Sequence, residues 1–328
     1  MRFSFVSLHI AIFLTLCVTG CSNDRHHAAA EPVADLSSLM RDYRAMPDSL
    51  RQDAVSRCLP EVTAFMKVVS GDTVSDSLLE AWSASPVVLR FTAAVDSVFP
   101  SQEFLQADLG YILSAARDEG LDLPHRRYAA VTYGRPEAVL FVDSVMLVAL
   151  NHFLGSDFPG YGHWPLYRRQ EKRPENLPYA LSEAIIATRY PYEASPGQAT
   201  LLSRMLYEGA LAKAKLATVP DATVNAVLGY DKDEYAMLVE REGELWRQLV
   251  SSGLLYDTSH LSSERFNAPS PAVNVLASAW PARVGRFVGV QIVDSYLEHN
   301  PGTTLAQLLS PDFYNSPQAL ERSAYKAR

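Results

Sequence analysis

Cysteine is nearly absent from this chain. There are three among 328 residues, and two of them, Cys17 and Cys21, fall at the very start. The body keeps only Cys58, so an internal disulfide framework is excluded. Its neighbours Val55 and Leu59 point to a buried structural thiol rather than a nucleophile. Excess positive charge is missing as well. With 29 Lys and Arg against 37 Asp and Glu, the net charge is −8. No basic stripe is left to neutralise phosphates, which excludes nucleic acid as a partner. The chain contains no G-x-S-x-G, no G-x-x-x-x-G-K, no C-x-x-C and no H-E-x-x-H. Nucleophile-elbow hydrolases, P-loop nucleotide enzymes, dithiol redox sites and intact zinc peptidases of that signature are thereby set aside. Internal repeats are lacking too.

What is present begins at the N-terminus. Arg2 precedes an apolar run from Phe3 to Val18, weakened only by Ser4, Ser7, His9 and Thr15. A bilayer core needs about 20 consecutive apolar residues, so this run reads as a secretory signal rather than a span. It closes in Val18-Thr19-Gly20-Cys21, which resembles the bacterial lipobox. Residues 1–20 are therefore expected to be a signal peptide and Cys21 the lipid attachment site, its sulfur taking the diacylglycerol. Several acyl chains at about 0.8 kcal/mol per buried methylene would hold the protein at a membrane. Residues 21–32 read as a polar, Ala-rich tether with too little apolar surface to fold. Ser22 is not aspartate, so nothing argues for retention at an inner membrane. His26 and His27 on that tail read as solvated residues, not as metal ligands.

The remaining residues, 33–328, are expected to form a single domain. From Asp35 to Gly120 apolar residues recur at helical spacing, as in Leu59, Val62, Phe65 and Met66, or Leu105, Leu109, Ile112, Leu113 and Ala116. Gly120 supplies a stop. Three short runs follow, Tyr128–Tyr133, Ala138–Val142 and Met146–Leu150, and predict an antiparallel or mixed sheet. A loop rich in aromatics and prolines spans Phe153 to Trp164. After Pro178 the pattern is helical nearly to the end. One stripe is Leu202, Met205, Leu206, Gly209 and Ala210; another is Leu238, Leu245, Trp246 and Leu249, with Asp233 as its expected cap. In a third, which includes Phe287 and Ile292, Gly285 and Gly289 share a face where another backbone could approach. Ser316-Pro317 is expected to open a last helix. The fold class is α+β: a small mixed sheet with helices over 33–160, then a mainly helical part over 161–328.

Several segments resemble one family. Asn151-His-Phe-Leu-Gly155 with Tyr161, Leu228-Gly-Tyr230, Glu240 with Glu244-Leu-Trp246, and Leu254-Leu-Tyr256 are similar to the gliding-motility-associated lipoproteins (GldB-like) of Bacteroidetes. The most specific block is Pro281-Ala-Arg-Val-Gly-Arg286 with Gly289-Val-Gln-Ile-Val293 and Ser295-Tyr296; Tyr325-Lys326 matches as well. The resemblance covers about Ala129 to the end. It implies a cell-envelope protein, lipid-anchored at the outer membrane of a Gram-negative bacterium. It also implies a relation to predicted zinc peptidases of zincin-like fold, which carry an H-E-x-x-H helix and a downstream E-G-x-A helix.

On that alignment Ser182-Glu183-Ala-Ile-Ile186 stands where H-E-x-x-H would, and Tyr207-Glu208-Gly209-Ala210 where the third ligand would. Zinc needs two imidazoles one helical turn apart, and isoleucine has no lone pair to give. No metal and no cofactor are therefore expected, and Glu183 and Glu208 become vestigial candidates. Their plain reading is as solvated helix glutamates, with Glu183→Gln nearly silent. The alternative is a residual pocket in which the two carboxylates meet Arg189 or Arg204. His152 and His163 read as hydrogen-bonded packing residues, and Tyr161, Trp164 and Tyr167 as core or as a recognition surface. The expectation is a non-catalytic envelope lipoprotein that binds or assembles with envelope proteins or peptides. The other class is a peptidase-like hydrolase with an atypical or lost metal site.

Overall fold

The computed structural model describes residues 29–328 except 72–73. The expected signal peptide, Cys21 and the His26–His27 pair lie outside them. Just inside that limit the chain is already pinned to the body. Glu31 N–H donates to the Gln106 carbonyl at 3.2 Å, and a Cβ on Gly110 would overlap the Ala29 carbonyl oxygen.

The sheet holds four strands in the order β1-β2-β4-β3. They are β1 (Val33–Asp35), β2 (Arg127–Val131), β3 (Val139–Val142) and β4 (Val145–Ala149). β1 and β2 are parallel, as are β2 and β4, while β3 runs antiparallel to β4 at the edge. The three runs seen in the sequence are β2, β3 and β4. β1 went unseen because three residues after a tether carry no period. Between β1 and β2 lie α1 (Leu36–Asp42), α2 (Asp48–Arg57), α3 (Leu59–Val69), α4 (Asp76–Ser83), α5 (Pro86–Val98) and α6 (Glu103–Asp118). Gly120, at φ +73°, ends α6, and its N–H returns to the Arg117 carbonyl.

Alternation along the strands builds two cores. Ala129, Val131, Val145 and Leu147 face α1, α3 and α4, where Leu36, Met40, Phe65 and Leu79 are buried. Tyr128, Ala130, Met146 and Val148 face the other way, onto Val95, Leu105, Leu109 and Ile112. Every residue of β4 is buried, which explains its unbroken apolar run in place of a polar alternation. Each such Val or Leu contributes about 1.5–3 kcal/mol over an exposed position. Cys58 is half-buried, its Sγ 3.3 Å from the Ala54 carbonyl, and burial pushes the thiol pKa up, against a nucleophilic role.

The second half is mainly helical: α7 (Leu166–Arg169), α8 (Leu177–Arg189), α9 (Leu201–Thr218), α10 (Val224–Leu228), α11 (Lys232–Glu240), α12 (Glu242–Ser251), α13 (His260–Asn267), α14 (Val284–His299), α15 (Leu305–Leu308), α16 (Pro311–Tyr314) and α17 (Ala319–Ser323). No helix among the described residues is long and apolar enough to cross a membrane. Three local expectations need correction. The stripe through Leu238 and Leu249 belongs to two helices, α11 and α12, and the cap of α11 is Asp231, not Asp233. Asp231 accepts from Glu234 N–H at 2.8 Å in a reciprocal capping box. The last helix starts at Ala319, because Ser316 Oγ accepts from Gln318 N–H and holds Pro317 in the preceding turn. The close backbone approach expected at Gly285 and Gly289 is found, with a different helix at each. A Cβ on Gly285 would strike Asn267 of α13, whereas one on Gly289 would overlap the Met205 carbonyl of α9. Gly209 meets the Gly289 backbone from the other side, so α9 and α14 touch main chain to main chain.

Candidate functional site

That close crossing, with α8 packed beside it, sets the geometry of Glu183 and Glu208. Pro178 opens α8 within its first turn, where a missing N–H costs nothing, and Thr200 caps α9 by accepting from Ser203 N–H at 3.0 Å. Glu208 lies on α9 with its side chain only 3% exposed; Glu183 lies on α8 and is half-buried. Neither is a freely solvated helix glutamate, and here the plain expectation is overturned. Apolar packing on both helices, Leu181, Ile185 and Ile186 on α8 and Leu206 and Ala210 on α9, turns the carboxylates inward.

Cations meet them. Arg204, one turn before Glu208, places Nη2 2.7 Å from Glu208 Oε1. Arg286 of α14 reaches between the two acids, with Nε 3.1 Å from Glu208 Oε2 and Nη2 3.7 Å from Glu183 Oε1. The Nε contact is electrostatic rather than an aligned hydrogen bond, since that N–H has no hydrogen-bond acceptor. Lys215 donates from Nζ to Glu183 Oε2 at 2.5 Å and to the Val227 carbonyl at 3.3 Å. Farther out, Arg283 pairs with Glu171 and donates to the Gly229 carbonyl at 3.2 Å. Of the two arginines expected beside the acids, Arg204 is there. Arg189 is not: it pairs with Asp122 at 3.3 Å.

The protonation states follow from these neighbours. Burial alone would raise the Glu183 pKa, but the Lys215 ammonium and the Arg286 guanidinium outweigh it and draw it down to about 2. For Arg286, burial opposes the charge, yet Glu208 and Glu183 hold its pKa above the usual guanidinium range. Glu183 and Arg286 are therefore held in their charged forms.

These residues do not fit a zinc ion. Ser182 Oγ is buried 2.8 Å from Thr218 Oγ1, and Ile186 is packed in the apolar core, so neither position offers a donor. Three carboxylates, Glu171, Glu183 and Glu208, already face at least four cations, Arg204, Lys215, Arg283 and Arg286. A dication brought there would meet net positive charge in a poorly screened setting. Among the described residues no group of three or more His, Cys, Asp or Glu could hold a metal ion.

Lys215 escaped the sequence reading, and Arg286 entered it only as part of the family block, though the signals for both were present. Lys215 stands seven residues after Glu208 on the same face of α9, and Arg286 stands three before Gly289, on the face that meets α9. The segments that carried the family resemblance have structural roles around this centre. Gly229, at φ +78°, leaves space that the Arg283 guanidinium fills, Tyr230 donates to the Ala282 carbonyl at 2.8 Å, and Arg283 itself adopts φ +62°.

The aromatic loop lies elsewhere, at the carboxyl ends of β2 and β4. Asn151 clamps those ends, accepting from Tyr133 N–H at 3.2 Å and donating to the Tyr133 carbonyl at 2.9 Å. Tyr161 is buried and donates to the Asn151 carbonyl at 2.6 Å. His152 is buried between the Arg135 carbonyl, 2.9 Å from Nε2, and Lys172 Nζ, 2.9 Å from Nδ1. It is the hydrogen-bonded packing residue expected. His163 is exposed beside half-buried Trp164, and Tyr167 is half-buried.

A family model described as "Gliding motility protein GldB" matches residues 27–327. No curated protein matches the chain, and no solved structure matches it.

Proposed function

The chain belongs to the GldB family of gliding-motility proteins, and from that premise we propose that it is a non-catalytic cell-envelope lipoprotein, a binding or assembly component on a degenerate zincin-like scaffold. Residues 1–20 serve as the signal, Cys21 carries the lipid at the outer membrane, 21–32 tether the protein, and 33–328 form one domain that meets envelope proteins or peptides. The observation that carries the inert reading is Arg286, whose guanidinium stands within ion-pair distance of both Glu183 and Glu208. A zincin would need a metal ion between such acids and imidazoles on one side of it; here a covalently attached cation supplies the charge, and no water is activated.

Zinc titrated into the purified chain by calorimetry should give no stoichiometric binding. One zinc per chain, lost on Glu183→Gln and on Glu208→Gln, would overturn the inert reading and restore the hydrolase. The anchor is tested separately: Cys21→Ser should move the protein out of the membrane fraction, and an unchanged partition would refute it.

A further inference from the structure

A cavity of about 410 Å³ opens at the carboxyl ends of β2 and β4, with none of Glu183, Glu208 or Arg286 in its lining. That size suits a small molecule rather than a folded partner. Its wall is largely apolar and aromatic, built by Trp82, Val88, Phe91, Tyr161 and Trp164. Exposed Val87, Arg135 and His163 line it too and mark its solvent side. Among the buried polar side chains that also line it, Lys172, 9% exposed, is the one that carries a charge.

Lys172 is a buried charge without a close ion pair; the Glu171 carboxylate favours its charged form only from a longer distance. Among the described residues, no carboxylate lies within ion-pair distance of its Nζ. Glu171, next in sequence, is engaged by Arg283 and Arg168. The ammonium instead donates to His152 Nδ1 at 2.9 Å and stands 4.8 Å from the Trp164 ring centre and 5.4 Å from that of Tyr161. His152 accepts there because its Nε2–H is directed to the Arg135 carbonyl at 2.9 Å. A lysine ammonium has three N–H donors, and this arrangement uses one in a hydrogen bond. Burying a cation with neutral partners alone is costly, and the cost falls when an anion arrives.

We propose that this cavity binds a free monocarboxylate with an apolar chain, the carboxylate pairing with Lys172 Nζ and the chain lying against the aromatic wall. The charge of the wall selects among the other occupants. Cationic amphiphiles are rejected because the protein's own ammonium already occupies the ring faces that would hold them. A neutral chain gains the apolar contact but leaves the lysine uncompensated. A dianionic phosphate head costs more to desolvate, and its second charge could be met only by exposed Arg135, whose guanidinium already donates to the Val68 carbonyl.

The test titrates decanoate, decan-1-ol, decyl phosphate and decyltrimethylammonium separately into the full purified chain by calorimetry, below their aggregation concentrations. Decanoate should saturate at one per chain and bind at least tenfold more tightly than the alcohol or the phosphate, with no binding of the ammonium amphiphile. Lys172→Met should weaken decanoate at least tenfold while leaving decan-1-ol unchanged, and so erase the preference. Val88→Trp, which fills the cavity without touching the charge, should abolish binding of both, and it serves where the lysine variant fails to fold. The proposal is overturned if decanoate does not saturate the wild-type chain, if alcohol or phosphate binds as tightly, or if Val88→Trp still binds decanoate. These outcomes do not depend on the anchor or on the zinc titration.

Discussion

Arg286 and Lys172 are both cations withdrawn from water, and their surroundings are opposite. Arg286 lies among Glu183 and Glu208, with Lys215 and Arg204 completing the set. Lys172 lies among rings and a neutral imidazole, at the floor of an open cavity. In the first place the chain has supplied its own counter-charges, which leaves no electrostatic reason for a ligand to enter and makes the cluster a strut between helices. In the second a close counter-charge is missing and space is left where one could sit. The residues that look like an enzyme's remains are thus the closed ones, and the receptive site lies at the end of the sheet.

Substitutions can break or sharpen this contrast. The largest effect is expected where the helices that carry the closed cluster meet. Gly289→Ala forces a Cβ onto the Met205 carbonyl, backbone that cannot swing aside, and should cost about 3 kcal/mol or more in urea unfolding. A loss below about 1 kcal/mol would mean that the helices part easily and that the cluster is no strut.

Next comes Glu208→Gln, which strips Arg286 and Arg204 of their buried partner. The loss should be about 2–3 kcal/mol, below that of a fully buried pair because Arg286 keeps Glu183 and Arg204 is one-third exposed. Glu183→Gln is no longer expected to be silent, since it leaves Lys215, 6% exposed, with only the Val227 carbonyl; about 1–2 kcal/mol is expected.

Acid separates the two sites. Burial, with the Lys172 charge beside it, lowers the His152 pKa from 6.5 to about 4. Between those values the unfolded chain binds the extra proton, so stability falls as pH drops through that window, by roughly 3 kcal/mol in all. Glu183 acts lower: depressed from 4.5 to about 2, it stabilises the fold above 4.5 and loses that contribution as pH falls towards 2. His152→Gln should flatten the melting temperature between pH 6.5 and 4 and leave the deeper acid limb. An unchanged profile would place the titration elsewhere. The smallest effect is expected for Lys172→Met, within about 1 kcal/mol of wild type, because the lost hydrogen bond and ring contacts are offset by removing a buried charge that has no close ion pair. A loss as large as that of Glu208→Gln would erase the distinction between the sites.

Legibility in the sequence followed the same line between local and distant causes. The helical period of α3, α6 and α9 and the apolar runs of β2, β3 and β4 could be read directly, because burial on one helix stripe or on both sheet faces is written into neighbouring residues. β1 could not, since three residues gain strand form only from the parallel partner 95 positions later. Glu183 and Glu208 were found by family spacing, but their state depended on Lys215 and Arg286, which only the packing of α8, α9 and α14 brings together. Lys172 carried no signal at all. That it lacks a close ion pair is a fact about three dimensions, since in sequence it stands next to Glu171, which Arg168 and Arg283 engage.

The central claim is that Arg286 serves as the fixed counter-charge of the glutamate pair, and a double-mutant cycle tests it most directly. Urea unfolding of Glu208→Gln, Arg286→Met and the double variant should show each single change destabilising, with the double losing less than their sum by about 1–2 kcal/mol. Strict additivity of the two losses would contradict it, because the carboxylate and the guanidinium would then be stabilising the fold independently of each other.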